Sequence, residues 1–232
     1  MQDYTAIVLS AGVGSRMHSD IPKQYMDLDG YPVIYYALRA FEESGVDSVV
    51  LVTAPEMIEY CRKNIVEKYG FRKVTAIVGG GAERYLSVYE GLKAAEGEYV
   101  LIHDGARPLI SEKLISDSIE NVKKYRAIVP AIAVKDTIKK INDSNEVLDT
   151  PERAYLRAAQ TPQCFELNLI LDAFDKYNSD TLLEHLPTDD GSLIELYSDA
   201  NVVITEGDEN NLKITTPIDL RIAEMILGDE SQ

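Results

Sequence analysis

Residues 4–12 read Tyr4-Thr5-Ala6-Ile7-Val8-Leu9-Ser10-Ala11-Gly12. The apolar run Tyr4–Ser10 is nearly unbroken and ends on small residues and a glycine. Continuous rather than alternating hydrophobicity suits a strand covered on both faces, and glycine directly after it lets the backbone turn tightly. The same signature returns at Asp47–Thr53, Lys73–Val78, Glu98–His103, Ala127–Ala133 and Asn201–Glu206. Between these runs lie stretches of helical length: Val33–Ser44, Pro55–Tyr69, Glu83–Ala95, Ser111–Lys124, Glu166–Tyr177 and Pro217–Leu227. Pro55 and Pro217 suit a first helical turn, and Thr216 suits an N-cap. Alternating strands and helices predict an α/β fold: one Rossmann-like, doubly wound, mostly parallel sheet with helices on both faces. No repeat, low-complexity tract or linker interrupts it, so residues 1–232 are expected to form a single domain.

One stretch breaks the rhythm. Val134–Ile141 and Glu146–Thr150 flank Asn142-Asp143-Ser144-Asn145, which is turn chemistry. This predicts a projecting β-hairpin arm over about residues 134–157, carrying Lys135, Lys139 and Lys140. Such a ribbon is either a partner-binding arm or a solvated loop, and the residues alone leave both open.

Composition narrows the function. The 232 residues include 23 Lys plus Arg against 39 Asp plus Glu, a net charge of −16. Phosphate affinity comes mainly from Lys and Arg, so an acidic chain is a poor general binder of nucleic acid or anionic lipid. A single phosphorylated small molecule remains accessible through a local group of cations. The two cysteines, Cys61 and Cys164, stand far apart, without zinc or redox spacing. The start of the chain lacks a basic region and a long apolar run, and no stretch approaches the ~20 apolar residues of a membrane span. A cytoplasmic location is expected.

Four loops carry candidate chemistry, each directly after an expected strand. Ser10-Ala11-Gly12-Val13-Gly14-Ser15-Arg16-Met17, with Pro22-Lys23-Gln24 beyond it, sets two cations around a glycine loop. Exposed backbone N–H groups there suit phosphate oxygens; a plain tight turn is the other reading. Met17 stands where a dinucleotide fingerprint needs its third glycine, and no Gly-Lys-Ser/Thr is present. Ile102-His103-Asp104-Gly105-Ala106-Arg107-Pro108 puts a carboxylate at a strand end, where α/β sheets place ligands. Such a carboxylate suits Mg²⁺ beside phosphates or a turn-capping ion pair with Arg107. Val78-Gly79-Gly80-Gly81-Ala82-Glu83-Arg84, followed by Ser87, exposes backbone at the same edge or is a flexible connection. Gly207–Pro217 contains Lys213, the first Lys or Arg after Lys176. In a doubly wound sheet these loops gather on one edge, which favours a nucleotide site.

Taken in order, several motifs resemble one family. They are Ser-Ala-Gly-x-Gly-Ser-Arg-Met with Pro-Lys-Gln-Tyr, Gly-Gly-x-x-Arg-x-x-Ser-Val, His-Asp-x-x-Arg-Pro, Lys-Asp-Thr-Ile-Lys, Gln-Thr-Pro-Gln-x-Phe, Thr-Asp-Asp and Asn-Leu-Lys-Ile-Thr-Thr-Pro. Together they span nearly the whole chain and resemble the 2-C-methyl-D-erythritol 4-phosphate cytidylyltransferases, CTP-dependent enzymes of the non-mevalonate isoprenoid pathway. The resemblance implies nucleotide contacts by Ser10, Ala11, Gly12, Gly14, Gly81, Ala82, Ser87, Asp104 and Gly105. Among these, Gly81, Ala82 and Ser87 would read the cytosine edge, and Asp104 would hold Mg²⁺. Arg16 and Lys23 would stabilise charge at the α-phosphate during in-line attack, and Lys213 completes the implied catalytic set. Arg107 and Thr188 would lie near the polyol, while Lys213, Thr161, Thr137 and Arg153 would hold its phosphate. Thr137 and Arg153 belong to the arm, which the resemblance turns into a homodimer arm that completes the partner's site. The substrates implied are CTP and a polyol phosphate, with neither nucleic acid nor membrane as partner.

The chain departs from the family pattern at a few places. Ser10, Gly105 and Gly191 stand where Ala is common, and His18 where Gly is frequent. Asn210 replaces an Asp that helps with metal in some members, leaving Asp208 or Glu209 as the nearby carboxylate; Asp208 is the candidate second metal residue. The rival readings are a ribitol-5-phosphate cytidylyltransferase and a non-catalytic nucleotide sensor. His-Asp-Gly-Ala-Arg-Pro, the Arg16–Lys23 spacing and Thr-Asp-Asp favour the methylerythritol enzyme. The retained cations argue against a sensor.

Overall fold

The computed structural model describes residues 3–12, 22–180 and 187–230. The chain begins with β1 (Tyr4–Ser10), the short strands β2 (Asp27–Leu28) and β3 (Tyr31–Pro32), α1 (Val33–Glu43), β4 (Ser48–Thr53) and α2 (Ile58–Cys61). It continues through β5 (Val74–Gly79), α3 (Arg84–Ala94), β6 (Tyr99–Asp104), α4 (Glu112–Tyr125) and β7 (Ala127–Ala133). Then come β8 (Lys140–Ile141), β9 (Val147–Asp149), β10 (Arg157–Ala159), β11 (Gln163–Glu166), α5 (Leu167–Ser179), α6 (Asp190–Tyr197), β12 (Val203–Glu206) and α7 (Pro217–Glu230).

An eight-stranded sheet runs β10-β7-β11-β6-β1-β4-β5, with β12 also on β7. All the strands expected from continuous hydrophobicity are present: β1, β4, β5 and β6 are mutually parallel, and β12 is parallel to β7. β10 and β11 run against them and lie outside the expectation. They are too short to show a period, and Thr161-Pro162, joined by a cis peptide, separates them. β11 fills the slot between β6 and β7. α6 is likewise unannounced: it is short and carries Gly191 in its first turn.

Alternation along the buried strands decides which helix covers which face. Tyr4, Ala6, Val8, Val49, Leu51 and Leu101 pack with Ile34, Leu38 and Phe41 of α1 and Leu114, Ile115 and Val122 of α4. Ile7, Val50, Val52, Val100, Ile102 and Phe165 pack on the opposite face with Val88 and Leu92 of α3, Ile170 and Phe174 of α5, and Leu193 and Ile194 of α6. The helix expected over Pro55–Tyr69 is helical but irregular, a 3-10 turn leading into α2 and then a π turn over Arg62–Glu67. It ends at Gly70, whose φ of 72° lets Phe71 N–H return to the Val66 carbonyl, a left-handed helix stop. α4 starts on Ser111, whose Oγ accepts from Leu114 N–H at 3.2 Å.

The hairpin exists but is shorter than expected: only β8 and β9 pair. Asn142 makes the turn, its Oδ1 accepting from Ser144 N–H at 3.0 Å and Glu146 N–H at 2.9 Å. Nearly all of residues 134–157 is exposed, so little of the arm is held by this chain's core. Among the described residues no helix is long and apolar enough to cross a membrane.

Candidate active site

β1 leads through α1 to β4 on one side, while β6 leads through α4 to β7 on the other. The sheet therefore reverses its winding between β1 and β6, where Leu9 and Asp104 are register partners. Ligands bind beyond the strand ends at such a point. A cavity of about 610 Å³ opens there, its walls including Ala11, Gly12, Lys23, Gly80–Arg84, Ser87, Asp104 and Lys213.

The segment Lys23–Tyr25 returns to the strand ends through its own side chains. Gln24 Nε2 donates to the carbonyls of Ser10 and Gly12, the latter at 2.7 Å. Lys23 Nζ donates to the Ile214 carbonyl at 2.8 Å, tying the glycine loop to the segment that carries Lys213. Tyr25 goes inward, its hydroxyl 2.6 Å from Thr53 Oγ1 and 3.1 Å from Cys61 Sγ. Opposite, Gly80 N–H donates to the Thr53 carbonyl at 2.7 Å. A Cβ on Gly80 would come within 2.6 Å of both Ala11 Cβ and Ser87 Oγ, so glycine there is needed for the close approach of the two loops.

Charge gathers around Asp104. Lys213 Nζ lies 2.7 Å from Oδ2, Arg84 Nε 3.4 Å from Oδ1, and Arg107 Nε 3.9 Å from Oδ2. Burial opposes the carboxylate, but Arg84 and Lys213, then Arg107, outweigh it and hold the Asp104 pKa well below the usual carboxylate range. Its backbone is fixed too: Asp104 N–H donates to Thr161 Oγ1 at 3.1 Å, and that oxygen is 3.0 Å from Nδ1 of the buried His103. Arg84 makes a second, bidentate pair with the buried Asp190, both bonds at 2.8 Å. Against its burial, Asp190 and Asp104 raise the Arg84 pKa.

The structure brings Ala11, Gly12, Lys23, Gly81, Ala82, Ser87, Asp104 and Lys213 of the expected site to this one cavity. Gly14 and Arg16 lie outside the described residues. The other expected residues among those described do not line the cavity. The Ser10 hydroxyl turns inward and donates to the Val52 carbonyl at 3.0 Å. Gly105 lies beneath the end of β1, its N–H on the Leu9 carbonyl at 2.8 Å. Thr161 is buried and engaged with His103 and Asp104. Asp208 is not on the cavity wall; its Oδ2 accepts from Ser111 Oγ at 3.0 Å and its Oδ1 from Asn210 N–H at 2.9 Å. Arg107 reaches Asn211 O through Nη1 at 2.7 Å. Thr188 is exposed just before α6. Thr137 and Arg153 sit on the arm, where Arg153 Nη1 donates to the Lys135 carbonyl at 2.7 Å. Arg84, Gln24 and Asp190 carry geometry that the motifs quoted without assigning them a role.

Comparison with known proteins identifies the family. The model of the family "2-C-methyl-D-erythritol 4-phosphate cytidylyltransferase" (IspD) matches residues 4–229. The chain belongs to this family. A relative of that name from Lachnoclostridium phytofermentans is 44% identical over 99% of this chain and 98% of its own length. Another, from Lachnospira eligens, is 46% identical over 96% of this chain and 98% of its own. Among solved structures, the 4-diphosphocytidyl-2C-methyl-D-erythritol synthase of Anaerococcus prevotii superposes with a TM-score of 0.84 at 34% identity, covering 98% of this chain and 99% of that one. As a family member the chain is a CTP-dependent cytidylyltransferase acting on methylerythritol phosphate in isoprenoid precursor synthesis. The ribitol phosphate and sensor readings are not favoured.

Proposed function

We propose that cytidylyl transfer takes place in the cavity at the ends of β1 and β6, within a single nucleotidyltransferase domain. The observation that carries this is the convergence of Lys213, Arg84 and Arg107 on the ionised Asp104, beside two glycine loops and Lys23. In an acidic chain, that local grouping of cations suits a triphosphate and a sugar phosphate together. Ala11 and Gly12 face the triphosphate, and Gly81, Ala82 and Ser87 face the base. Lys23 and Lys213 stabilise the charge that builds at the α-phosphorus as the substrate phosphate attacks and pyrophosphate leaves. A phosphate monoester is already anionic near neutral pH, so the residues have charge to stabilise rather than a proton to remove.

Asp104 is the residue that would hold Mg²⁺. It is an ionised carboxylate at the cavity wall, and among the described residues no three His, Cys, Asp or Glu side chains form a metal cluster. That donor set fits Mg²⁺, which takes one or two carboxylates together with phosphate oxygens and water. Bound there, the ion supplies neutralisation of phosphate charge. Arg107 and Thr188 serve the polyol, and Lys213 its phosphate. Thr137 and Arg153 belong to the arm and serve the site of a second copy, in a homodimer supported by the exposed Ile138, Ile141, Val147, Leu148 and Tyr155 on and beside the arm. A cytoplasmic setting fits these small-molecule substrates.

The test is pyrophosphate release with CTP and Mg²⁺, comparing methylerythritol phosphate with ribitol phosphate, and CTP with UTP and ATP. Turnover with CTP and methylerythritol phosphate is expected to exceed the other pairings. Preference for ribitol phosphate, or nucleotide binding without pyrophosphate release, would sink the reading.

A further inference from the structure

Arg84 stands between two carboxylates and treats them unequally. Nη1 and Nη2 donate to Oδ1 and Oδ2 of Asp190, each at 2.8 Å, the parallel fork that a guanidinium and a carboxylate form best. Only Nε faces Asp104, at 3.4 Å. Asp190 is 1% exposed and is fixed independently of Arg84. Its backbone N–H and that of Gly191 both donate to Gln163 Oε1 at 2.9 Å, and Gln163 Nε2 donates to Asp189 Oδ2 at 2.9 Å. Gln163, in the buried strand β11, thus anchors the first turn of α6 and with it the Asp190 carboxylate.

We propose that Asp190 is a positioning residue: it draws the guanidinium fork of Arg84 away from Asp104 and so leaves on Asp104 Oδ1 only the long Nε contact, which a divalent cation arriving with the nucleotide displaces. This rests on the reading of Asp104 as the metal-holding carboxylate. The physical reason lies in what Arg84 does without its partner. A half-buried guanidinium deprived of its carboxylate carries a large desolvation cost, and the anion already within reach is Asp104. Lys213 occupies Oδ2 at 2.7 Å. With the Arg84 fork turned onto Asp104 as well, the long Nε contact on Oδ1 would become a close two-pronged pair, which a metal would displace far less readily. The pairing with Asp190 instead leaves one long Nε contact on Oδ1. Arg84 also follows the loop Gly80–Glu83 that lines the cavity, so the hold of Asp190 extends to the loop facing the base.

The experiment follows Mn²⁺ by electron spin resonance, reading the enzyme-dependent loss of the free-ion signal in the presence of CTP. It compares the wild type with Asp190→Asn, the double variant Arg84→Met/Asp190→Asn, and Asp104→Asn. Asp190→Asn is expected to bind Mn²⁺ roughly 10-fold more weakly, the usual scale for losing a supporting partner of a metal site. The Mg²⁺ concentration for half-maximal pyrophosphate release should rise in parallel, and excess Mg²⁺ should restore turnover. The double variant removes the misdirected guanidinium and leaves no unpaired buried charge. Its Mn²⁺ affinity should therefore return to the wild-type level or above. A merely structural Asp190 would lower the melting temperature and turnover but leave Mn²⁺ affinity unchanged, and that result overturns the proposal. So does a double variant that binds Mn²⁺ more weakly than the wild type, a measurement that stands even if Asp190→Asn alone fails to fold. Asp104→Asn separates the two levels: wild-type Mn²⁺ binding there defeats the metal reading itself. Lost binding there, with intact binding in Asp190→Asn, defeats only the positioning role.

Discussion

His103 has no access to solvent, and burial pulls its pKa down to about 4. A neutral ring with the proton on Nε2 satisfies its surroundings, because the Arg107 carbonyl 3.1 Å from Nε2 can only accept. Nδ1 then accepts from Thr161, whose oxygen accepts in turn from Asp104 N–H. An unfolded histidine titrates near 6.5. Below that pH the unfolded chain takes a proton that the folded chain refuses, so this contribution is fully present above about 6.5 and is lost as pH falls toward about 4. The loss should reach roughly 3 kcal/mol, read from urea unfolding across that range; an identical acid loss in His103→Asn would contradict it. Lys23→Ala is expected to lower kcat roughly 100-fold with a much smaller change in CTP affinity, since its charge acts at the transition state. Equal losses in kcat and affinity would refute that role. Lys23, Asp104 and Lys213 were legible because a cation or carboxylate beside a strand-end loop is a local signal. The role of Arg84 was not: its carboxylate partner Asp190 lies 106 residues further along the chain, a pairing that only the folded sheet creates.

At the level of elements, α3 shows how closely a helix must approach to carry its loop to the site. A Cβ on Gly91 would fall 2.5 Å from Ile7 Cγ2 and 2.9 Å from Val52 Cγ2. Both are stiff β-branched residues in buried strands. Alanine ordinarily improves a helix interior by up to about 1 kcal/mol, but here overpacking should dominate. Gly91→Ala is expected to destabilise by about 1–3 kcal/mol in urea unfolding, and a gain in stability would contradict the close packing. The start of α7 makes the complementary point. Asp219 accepts from the N–H and hydroxyl groups of both Thr215 and Thr216, at 2.7–3.0 Å. Burial works against its carboxylate, but these bonds win and depress its pKa. Asp219→Ala should cost about 1 kcal/mol in thermal or urea unfolding; no change in stability would remove that role. The Thr216 hydroxyl donates to Asp219 rather than accepting from a helix N–H, whereas the start of α7 at Pro217 was readable. β10, β11 and α6 were not, because short elements hold their positions through the sheet and through Gln163 rather than through a period of their own.

The whole molecule combines an acidic composition with a pocket that gathers cations around Asp104 and an arm that leaves the body. The net charge of −16 excludes general polyanion binding without excluding a site, because Arg84, Arg107 and Lys213 surround one carboxylate. Ile141, Val147 and Leu148 are 49%, 58% and 60% exposed, which supports a second copy as their cover. Replacing the arm with a short polar turn should yield a monomer without activity, measured by sedimentation and pyrophosphate release. An active monomer would end the case for a shared site. The arm was visible in the sequence as a break in rhythm; its extent was not, because few of its residues have partners in the same chain. The central place of β11 bears finally on synthesis. β6 and β7 are complete before Gln163–Glu166 leave the ribosome, yet that strand must lie between them. Until it arrives, both strands present unpaired edges, with Val100, Leu101, Ile102 and Ile128 nearby, and such edges invite association with other chains. Nascent chains halted before residue 163 should therefore aggregate or recruit chaperones more than chains released after β11 has emerged.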